Sequence, residues 1–332
     1  MAIKIGIVGH GFVGKQVEKL IKGYYNYCIY EPKNFAPTIE QIDSIRINSG
    51  NINNQSYDEA IERIKCFPSS KFGKETINKI CNLSIVCVPT PMAEDGSCDT
   101  SIVEETIKWL KTPYILIKST IAPGTTDYLK KKYGKRIVFS PEYTGMSTYY
   151  NPIMKTMKEE PFVVFGGSKE DTQFMVDVWQ PMLGPLCQYL QVDAIEAELA
   201  KYIENSFFAA KVAYCNEFFE ICKVFGVEYD RVRDIWLHDP RINPMHTSVF
   251  KNNRGVGGRC LPKDTMALIK ASEAKGYEPK ILKQVINSNE EFKNKAVKQP
   301  ESTDATWIFG TTFASPSSTL GGTSTNITFY KP

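Results

Sequence analysis

Ile3-Lys4-Ile5-Gly6-Ile7-Val8-Gly9-His10-Gly11-Phe12-Val13-Gly14 opens the chain, and its reading decides the fold. A short β-branched run ends in glycines at GxGxxG spacing, and a helical pattern continues through Ile21. A second apolar run, Tyr27 to Tyr30, closes on Glu31, 20 residues beyond Gly11. Strand, glycine turn, helix, strand and acid in this order make the opening of a dinucleotide-binding unit. GxGxxG by itself is a weak signal; its place directly after a strand and at the head of a helix gives it weight. Gly9, Gly11, Phe12, Val13, Gly14 and Glu31 are therefore the cofactor-binding candidates. Glu31 can accept hydrogen bonds from ribose hydroxyls and would repel a 2′-phosphate, so NAD is expected rather than NADP, although Lys33 lies close.

Working outward, the segment from Pro32 to Pro68 is polar and Asn-rich and reads as loop with short helix. Buried-strand patterns resume at Leu83 to Val88, Tyr114 to Lys118, Arg136 to Phe139 and Phe162 to Gly166. Helical stretches around 100–110 and 170–183 alternate with them, which predicts an α/β, doubly wound parallel sheet of Rossmann type over residues 1–191. Pro89-Thr90, Lys118-Ser119-Thr120 and Ser140-Pro141-Glu142 each stand at the carboxyl end of a strand, where open α/β sheets bind ligands.

From Val192 to Phe225 runs one long helical pattern, followed by shorter helices as far as Lys295. Residues 192–297 thus read as a central helical domain, and the long helix carries more large apolar residues than one amphipathic stripe uses. Among them are Ile195, Leu199, Ile203, Phe207, Phe218 and Phe225, and a homodimer is the expectation. Residues 298–332 are dominated by Ser, Thr, Gly and Pro and read as an irregular tail without an assignable role.

The 332 residues, 42% of them hydrophobic, suffice for two domains, and a net charge of +3 gives no reason to expect nucleic acid or an acidic membrane as partner. Nine cysteines without CxxC pairs and only three histidines argue against zinc or a disulfide framework and for a reducing compartment. No signal-peptide pattern and no run of about 18 apolar residues occurs, so the expectation is a soluble, cytoplasmic protein.

The richest chemistry lies in Gly255-Val256-Gly257-Gly258-Arg259-Cys260-Leu261-Pro262-Lys263-Asp264. Glycines that let backbone approach a ligand lead into a cysteine, which neighbouring lysine can hold partly as thiolate, the species that attacks carbonyls. Asp264, one turn on, can serve as a general base or orient a water. A cysteine that merely packs at a loop-to-helix junction is the plain alternative. Lys201 and Asn205, at i and i+4 on the long helix, share a face.

Taken together, the Gly-rich opening, the strand-end motifs, the Lys201/Asn205 pair and the GGRCLPKD segment resemble the UDP-glucose/GDP-mannose dehydrogenase family over roughly residues 1–295. The resemblance implies a four-electron oxidation with NAD, in which a sugar C6 alcohol becomes an aldehyde and then a carboxylate. Cys260 would capture the aldehyde as a thiohemiacetal, and a thioester would follow. Lys201 and Asn205 would stabilise oxyanions, Asp264 and Thr120 would hold the catalytic water, and Glu142 would act in thioester hydrolysis. Pro89, Thr90, Thr120 and Lys263 join the cofactor contacts. Glu142, Tyr143, Lys201, Asn205, Arg254 and Gly257 join the substrate contacts, with Arg241 reaching a neighbouring subunit's site.

The chain departs from the family pattern at three places. Where the family usually has Pro-Glu-Phe-Leu-x-Glu, it has Pro141-Glu142-Tyr143-Thr144-Gly145-Met146, without the second carboxylate. Arg254 stands where an aromatic or small residue is expected, and could pair with a substrate phosphate. After Val297 the sequence lacks the strand–helix alternation of the family's third, nucleotide-binding domain. UDP-glucose is the leading substrate. A two-electron β-hydroxyacid dehydrogenase and a catalytically silent NAD-binding scaffold are the rival readings.

Overall fold

The computed structural model describes residues 3–31, 70–144 and 154–296. In chain order these form β1 (Lys4–Val8), α1 (Phe12–Ile21), β2 (Asn26–Tyr30), α2 (Ser70–Ile80), β3 (Leu83–Val86), α3 (Ser101–Trp109), β4 (Tyr114–Ile117), α4 (Thr125–Tyr133) and β5 (Ile137–Phe139). Then follow a 3-10 turn at Met157–Glu159, β6 (Phe162–Gly166), α5 (Lys169–Leu183), β7 (Gln188–Val192), α6 (Ala194–Val224), α7 (Tyr229–Trp236), α8 (Leu261–Glu273) and α9 (Lys280–Asn294). The expected irregular segment 32–68 and the 298–332 tail lie outside the described residues. Residues 1–297 make one compact unit.

The described strands form one sheet in the order β2-β1-β3-β4-β5-β6-β7. Its side chains alternate between two cores, as strands covered on both faces require. Ile5, Ile7, Leu83, Ile85, Leu116, Val138 and Phe165 face α1 and α5, where Val17, Leu20, Met175 and Trp179 complete the packing. Val8, Val86, Ile115, Ile117, Phe139 and Val164 face the opposite way, toward Ile77 of α2, Ile107 of α3 and Leu129 of α4. Helices thus cover both faces, and the chain reverses its direction of winding between β1 and β3, as expected of a doubly wound sheet.

The structure refines the sequence reading in three places. The sheet is parallel, as expected, but for β5 and β6, which pair antiparallel through Phe139 and Gly166. Strand β7, parallel to β6, has no buried run to betray it; as an edge strand it leaves Gln188, Leu190 and Gln191 exposed. Val192 ends that strand, and the long helix starts at Ala194 behind a capping box in which Asp193 and Glu196 satisfy each other's backbone donors.

Helix α6 lies directly against the sheet. A Cβ at Gly166 would meet that of Ala197 at 2.6 Å, a closeness only glycine permits. The buried face of α6 is made of small and polar residues, including Ala197, Glu198, Asn205, Ala209 and Asn216. Tyr202 packs with Ala267 and Leu268 of α8. Among the described residues no helix is long and apolar enough to cross a membrane.

Candidate active site

The glycine turn between β1 and α1 sits at the winding reversal. Gly9 has φ of 91° and its Cβ would stand 2.5 Å from the Cys87 carbonyl oxygen at the end of β3, so two constraints demand glycine there. A Cβ at Gly14 would collide with the Gly9 carbonyl oxygen. Gly11 differs: nothing lies within 4 Å of its Cβ position, and it caps the N-terminus of α1 without a side-chain partner. The protein itself therefore explains Gly9 and Gly14, while the open space at Gly11 fits the approach of a pyrophosphate to the helix terminus. Beside it, Phe12 is partly exposed and Val13 leans on the core.

Glu31 follows β2 and accepts a 2.6 Å hydrogen bond from the backbone N–H of His10, inside the glycine turn. The His10 ring pairs with Glu18 at 2.7 Å, and Glu18 accepts from the Tyr27 hydroxyl at 2.9 Å. This network holds the acid against the turn it is expected to serve. Across the reversal, the Ser119 hydroxyl donates to the Val88 carbonyl at 2.7 Å and so fixes the start of the Pro89-Thr90 loop. Thr120 follows Ser119, and its carbonyl oxygen receives the Cys98 thiol at 3.7 Å.

Lys201 and Asn205 do share a face of α6. Asn205 Nδ2 donates to Asp264 Oδ2 at 2.6 Å in a buried contact. Lys263 Nζ stands 2.5 Å from the other oxygen, Oδ1, close enough to pair although the angle makes no hydrogen bond. Lys201 Nζ lies 3.1 Å from Glu204 Oε2 and 4.8 Å from the centre of the Tyr143 ring. Cys260 caps the N-terminus of α8, and its carbonyl accepts the Asp264 N–H at 2.8 Å.

The Cys260 thiol does not match the thiolate expected of it. Burial pushes its pKa up, Asp264 pushes it further, and Lys263, Lys201 and Arg259 pull it back only in part. The residue as a whole is exposed by surface area, yet its sulfur sits among enough protein for desolvation to dominate. Cys260 therefore rests as a thiol, and three cations stand where they would favour the thiolate once a proton leaves.

The glycine loop before Cys260 is anchored from behind. Asn289 of α9 is buried, its side-chain oxygen accepts from the Val256 N–H, and its Nδ2 donates to the Val256 carbonyl at 3.2 Å. Gly255 has φ of 77°, and a Cβ there would strike Asn289 Oδ1. Past this anchor, Gly257 has a single neighbour at 4.0 Å and Gly258 none within 4 Å, so the loop's outer half is open to a ligand. Nothing in the local sequence around Asn289 marks its role, because its partner is 33 residues away.

Arg254 takes another place than a substrate contact. It is buried, its Nε donates to Asn216 Oδ1 at 2.7 Å, its Nη1 pairs with Glu220 at 2.8 Å, and its guanidinium lies 4.3 Å from the Phe219 ring centre. With each of its three nitrogens paired to α6, it acts as a clamp between loop and helix. Arg241 is exposed at the surface and held by Asp239.

At the carboxyl ends of β4 and β5 three charged groups are buried together. Lys118 Nζ lies 3.5 Å from Glu142 Oε2 and donates to the Ser140 hydroxyl and the Pro141 carbonyl at 3.4 and 3.3 Å. Glu142 Oε1 accepts from the Thr144 N–H at 2.8 Å, and the Thr144 hydroxyl donates to Glu160 at 3.1 Å. Glu160 carries no motif signal, yet burial and then the neighbouring Glu142 push its pKa up to about 8. Glu198 is likewise a product of packing: from α6 it accepts the N–H groups of Gly124 and Thr126, at 2.5 and 2.8 Å, and so caps α4.

Residues 3–183 match the UDP-glucose/GDP-mannose dehydrogenase NAD-binding domain, and residues 195–291 match the same family's central domain. A UDP-glucose 6-dehydrogenase from Streptococcus pneumoniae is 29% identical over 313 residues, covering 88% of this chain and 74% of the relative. One from Haloferax volcanii is 29% identical over 229 residues, covering 62% of this chain and 52% of the relative. The aligned part of the chain thus spans between about half and three-quarters of the length of these curated relatives. Among solved structures, a UDP-glucose dehydrogenase from Pyrobaculum islandicum superposes with a TM-score of 0.65 at 25% identity, covering 88% of this chain and 68% of that one.

Proposed function

Because this chain belongs to the UDP-glucose/GDP-mannose dehydrogenase family, we propose that it oxidises the C6 alcohol of a nucleotide sugar to the carboxylate, with UDP-glucose the leading substrate. One observation carries the proposal. The Asn205–Asp264 bond joins α6 to α8, and with Lys201 and Lys263 it surrounds a thiol at a helix N-terminus behind an open glycine loop.

NAD, held at the Gly11 turn and by Glu31, supplies a hydride acceptor when bound. The chain's own residues do the rest. Lys201 and Asn205 face the reacting carbon and stabilise the negative charge that develops on its oxygen. Cys260 adds to the aldehyde carbonyl: the sulfur–carbon bond forms as the thiol proton passes to the carbonyl oxygen, with Lys263, Lys201 and Arg259 favouring the negative charge that develops on sulfur. The resulting thiohemiacetal becomes the thioester by losing a second hydride from C6 and its hydroxyl proton. Asp264, fixed by Asn205, orients the water that later attacks the thioester, and Glu142 takes the proton of that water. The Cys260 thiol is then regenerated as the carboxylate leaves.

The deciding experiment is the stoichiometry of NADH formed per sugar consumed, over a panel of UDP-glucose, GDP-mannose and an N-acetylated UDP-sugar. Two NADH per sugar is expected. One would establish a two-electron dehydrogenase that uses Lys201 and Asn205 and ignores Cys260. None, with NAD still bound, would establish a silent scaffold. Cys260→Ala should abolish the second NADH while leaving NAD binding intact, since the thiol is needed only to trap the aldehyde.

A further inference from the structure

We propose that Glu160 is a positioning residue for Glu142: one proton, carried on Glu160, bridges the two carboxyls and keeps Glu142 aligned beside Lys118. The role rests on the reading of Glu142 as the base of thioester hydrolysis. It also supplies, from a different segment, a second carboxylate in a chain that has Met146 where its relatives' pattern has a glutamate.

The geometry carries the inference. Glu160 is 6% exposed, the Glu142 side chain 9% and Lys118 2%, so two carboxyls and one ammonium share a buried site. Two ionised carboxylates beside a single cation would leave an uncompensated buried charge, and such a site takes up a proton instead. Which carboxyl takes it follows from the neighbours. Glu142 stands next to Lys118 and accepts a backbone N–H, so its oxygens already face a cation and a donor. Glu160 is subject to Lys118 and to the Thr144 hydroxyl at 3.1 Å as well, but its burial and the neighbouring Glu142 outweigh them and favour its protonated form. The remaining groups facing the pair, Cys87, Cys187 and Tyr143, are held toward their neutral forms by burial and offer it no positive charge.

A second observation points the same way. Glu142 Oε2 is buried without a hydrogen-bond donor among the described residues, its nearest cation being Lys118 at 3.5 Å. A buried acceptor without a donor is costly, and a proton on Glu160 is the donor the pair lacks. Thr144 completes the bridge, with its N–H on one carboxylate and its hydroxyl on the other. Tyr143-Thr144 replaces the family's Phe-Leu at this point, and a leucine would lack that hydroxyl.

The test has one arm that needs no turnover. Carboxyl carbon NMR of glutamate-labelled full-length protein, with NAD present, should show one glutamate titrating near pH 8. Glu160→Gln should remove that titration, and Glu142→Gln should move it down toward the ordinary carboxylate range. An ordinary titration of Glu160 in the wild type, or an alkaline titration that survives in Glu160→Gln, overturns the proposal whether or not the chain turns over a nucleotide sugar. The second arm is the pH profile of kcat. Glutamine is permanently neutral and can donate, so Glu160→Gln should keep KM and most of kcat but lose the inflection near pH 8. Glu160→Leu, with no donor, should lose roughly tenfold or more in kcat. An inflection that persists in Glu160→Gln overturns the proposal, as does wild-type kcat in a folded Glu160→Leu. Failure of every nucleotide sugar to react would sink the functional reading alone, and the NMR arm would still decide the pairing.

Discussion

Asn205 donates a 2.6 Å hydrogen bond to Asp264 across the α6–α8 interface, tying the long helix to the one that Cys260 caps. Asp264 is almost wholly buried, so this bond is part of what makes its burial tolerable. Asn205→Ala should destabilise the fold by about 1–3 kcal/mol, the usual cost of leaving a buried polar group short of a partner. It should also lower activity by more than the lost stability accounts for. Urea unfolding read beside kcat separates the two effects, and an unchanged unfolding midpoint would show that Asp264 finds another donor.

Cys260 should react slowly with iodoacetamide at neutral pH and accelerate with pH beyond the range of an unhindered thiol, because its pKa is raised. Lys263 is one of the cations holding that rise in check, so Lys263→Ala should shift the alkylation profile to still higher pH. Mass-spectrometric mapping of the modified peptide assigns the rate to Cys260, and a shift toward lower pH would contradict the electrostatic account.

Glu160 should make stability depend on pH. Its folded-state pKa near 8 exceeds the unfolded value, so between the two the folded chain binds more protons than the unfolded one. The stabilisation is fully present below about pH 4.3 and is lost as pH rises through the folded value. Glu160→Gln lacks this dependence. Its melting temperature relative to wild type should therefore climb steadily from about pH 5 to about pH 8, and a constant difference would be the contrary result.

NADH should bind more tightly than NADPH, because Glu31 is held against the glycine turn by the His10 N–H and its charge opposes a 2′-phosphate. Glu31→Gln should narrow the gap. Fluorescence titration of both cofactors measures it, and a preference for NADPH in the wild type would reverse the assignment.

Helix α6 should mediate a dimer. Its large apolar residues Ile203, Phe207 and Phe225 are 58%, 62% and 76% exposed, since its buried face is occupied by alanine, asparagine and glutamate. A row of this kind on a free surface is an association site. Light scattering at micromolar concentration should give twice the chain mass, and Phe207→Glu should halve it. A monomer in the wild type would exclude the dimer.

The cofactor half of the molecule is legible along the chain, because the forces there are local. Three glycines, a helix start and an acid at the end of β2 are read from neighbours in the chain, and the β-branched runs carry their own burial signal. Lys201 with Asn205 and Cys260 with Asp264 were legible for the same reason: helical spacing places each pair on one face or one turn. Tertiary structure alone decided how these pairs meet, 59 residues apart, through Asn205 and Asp264. It also turned Arg254 inward as a clamp, held Cys260 as a thiol, and recruited Asn289, Glu198 and Glu160. These depend on desolvation and on partners distant in the chain, and neither quantity exists until the helices have packed on the sheet.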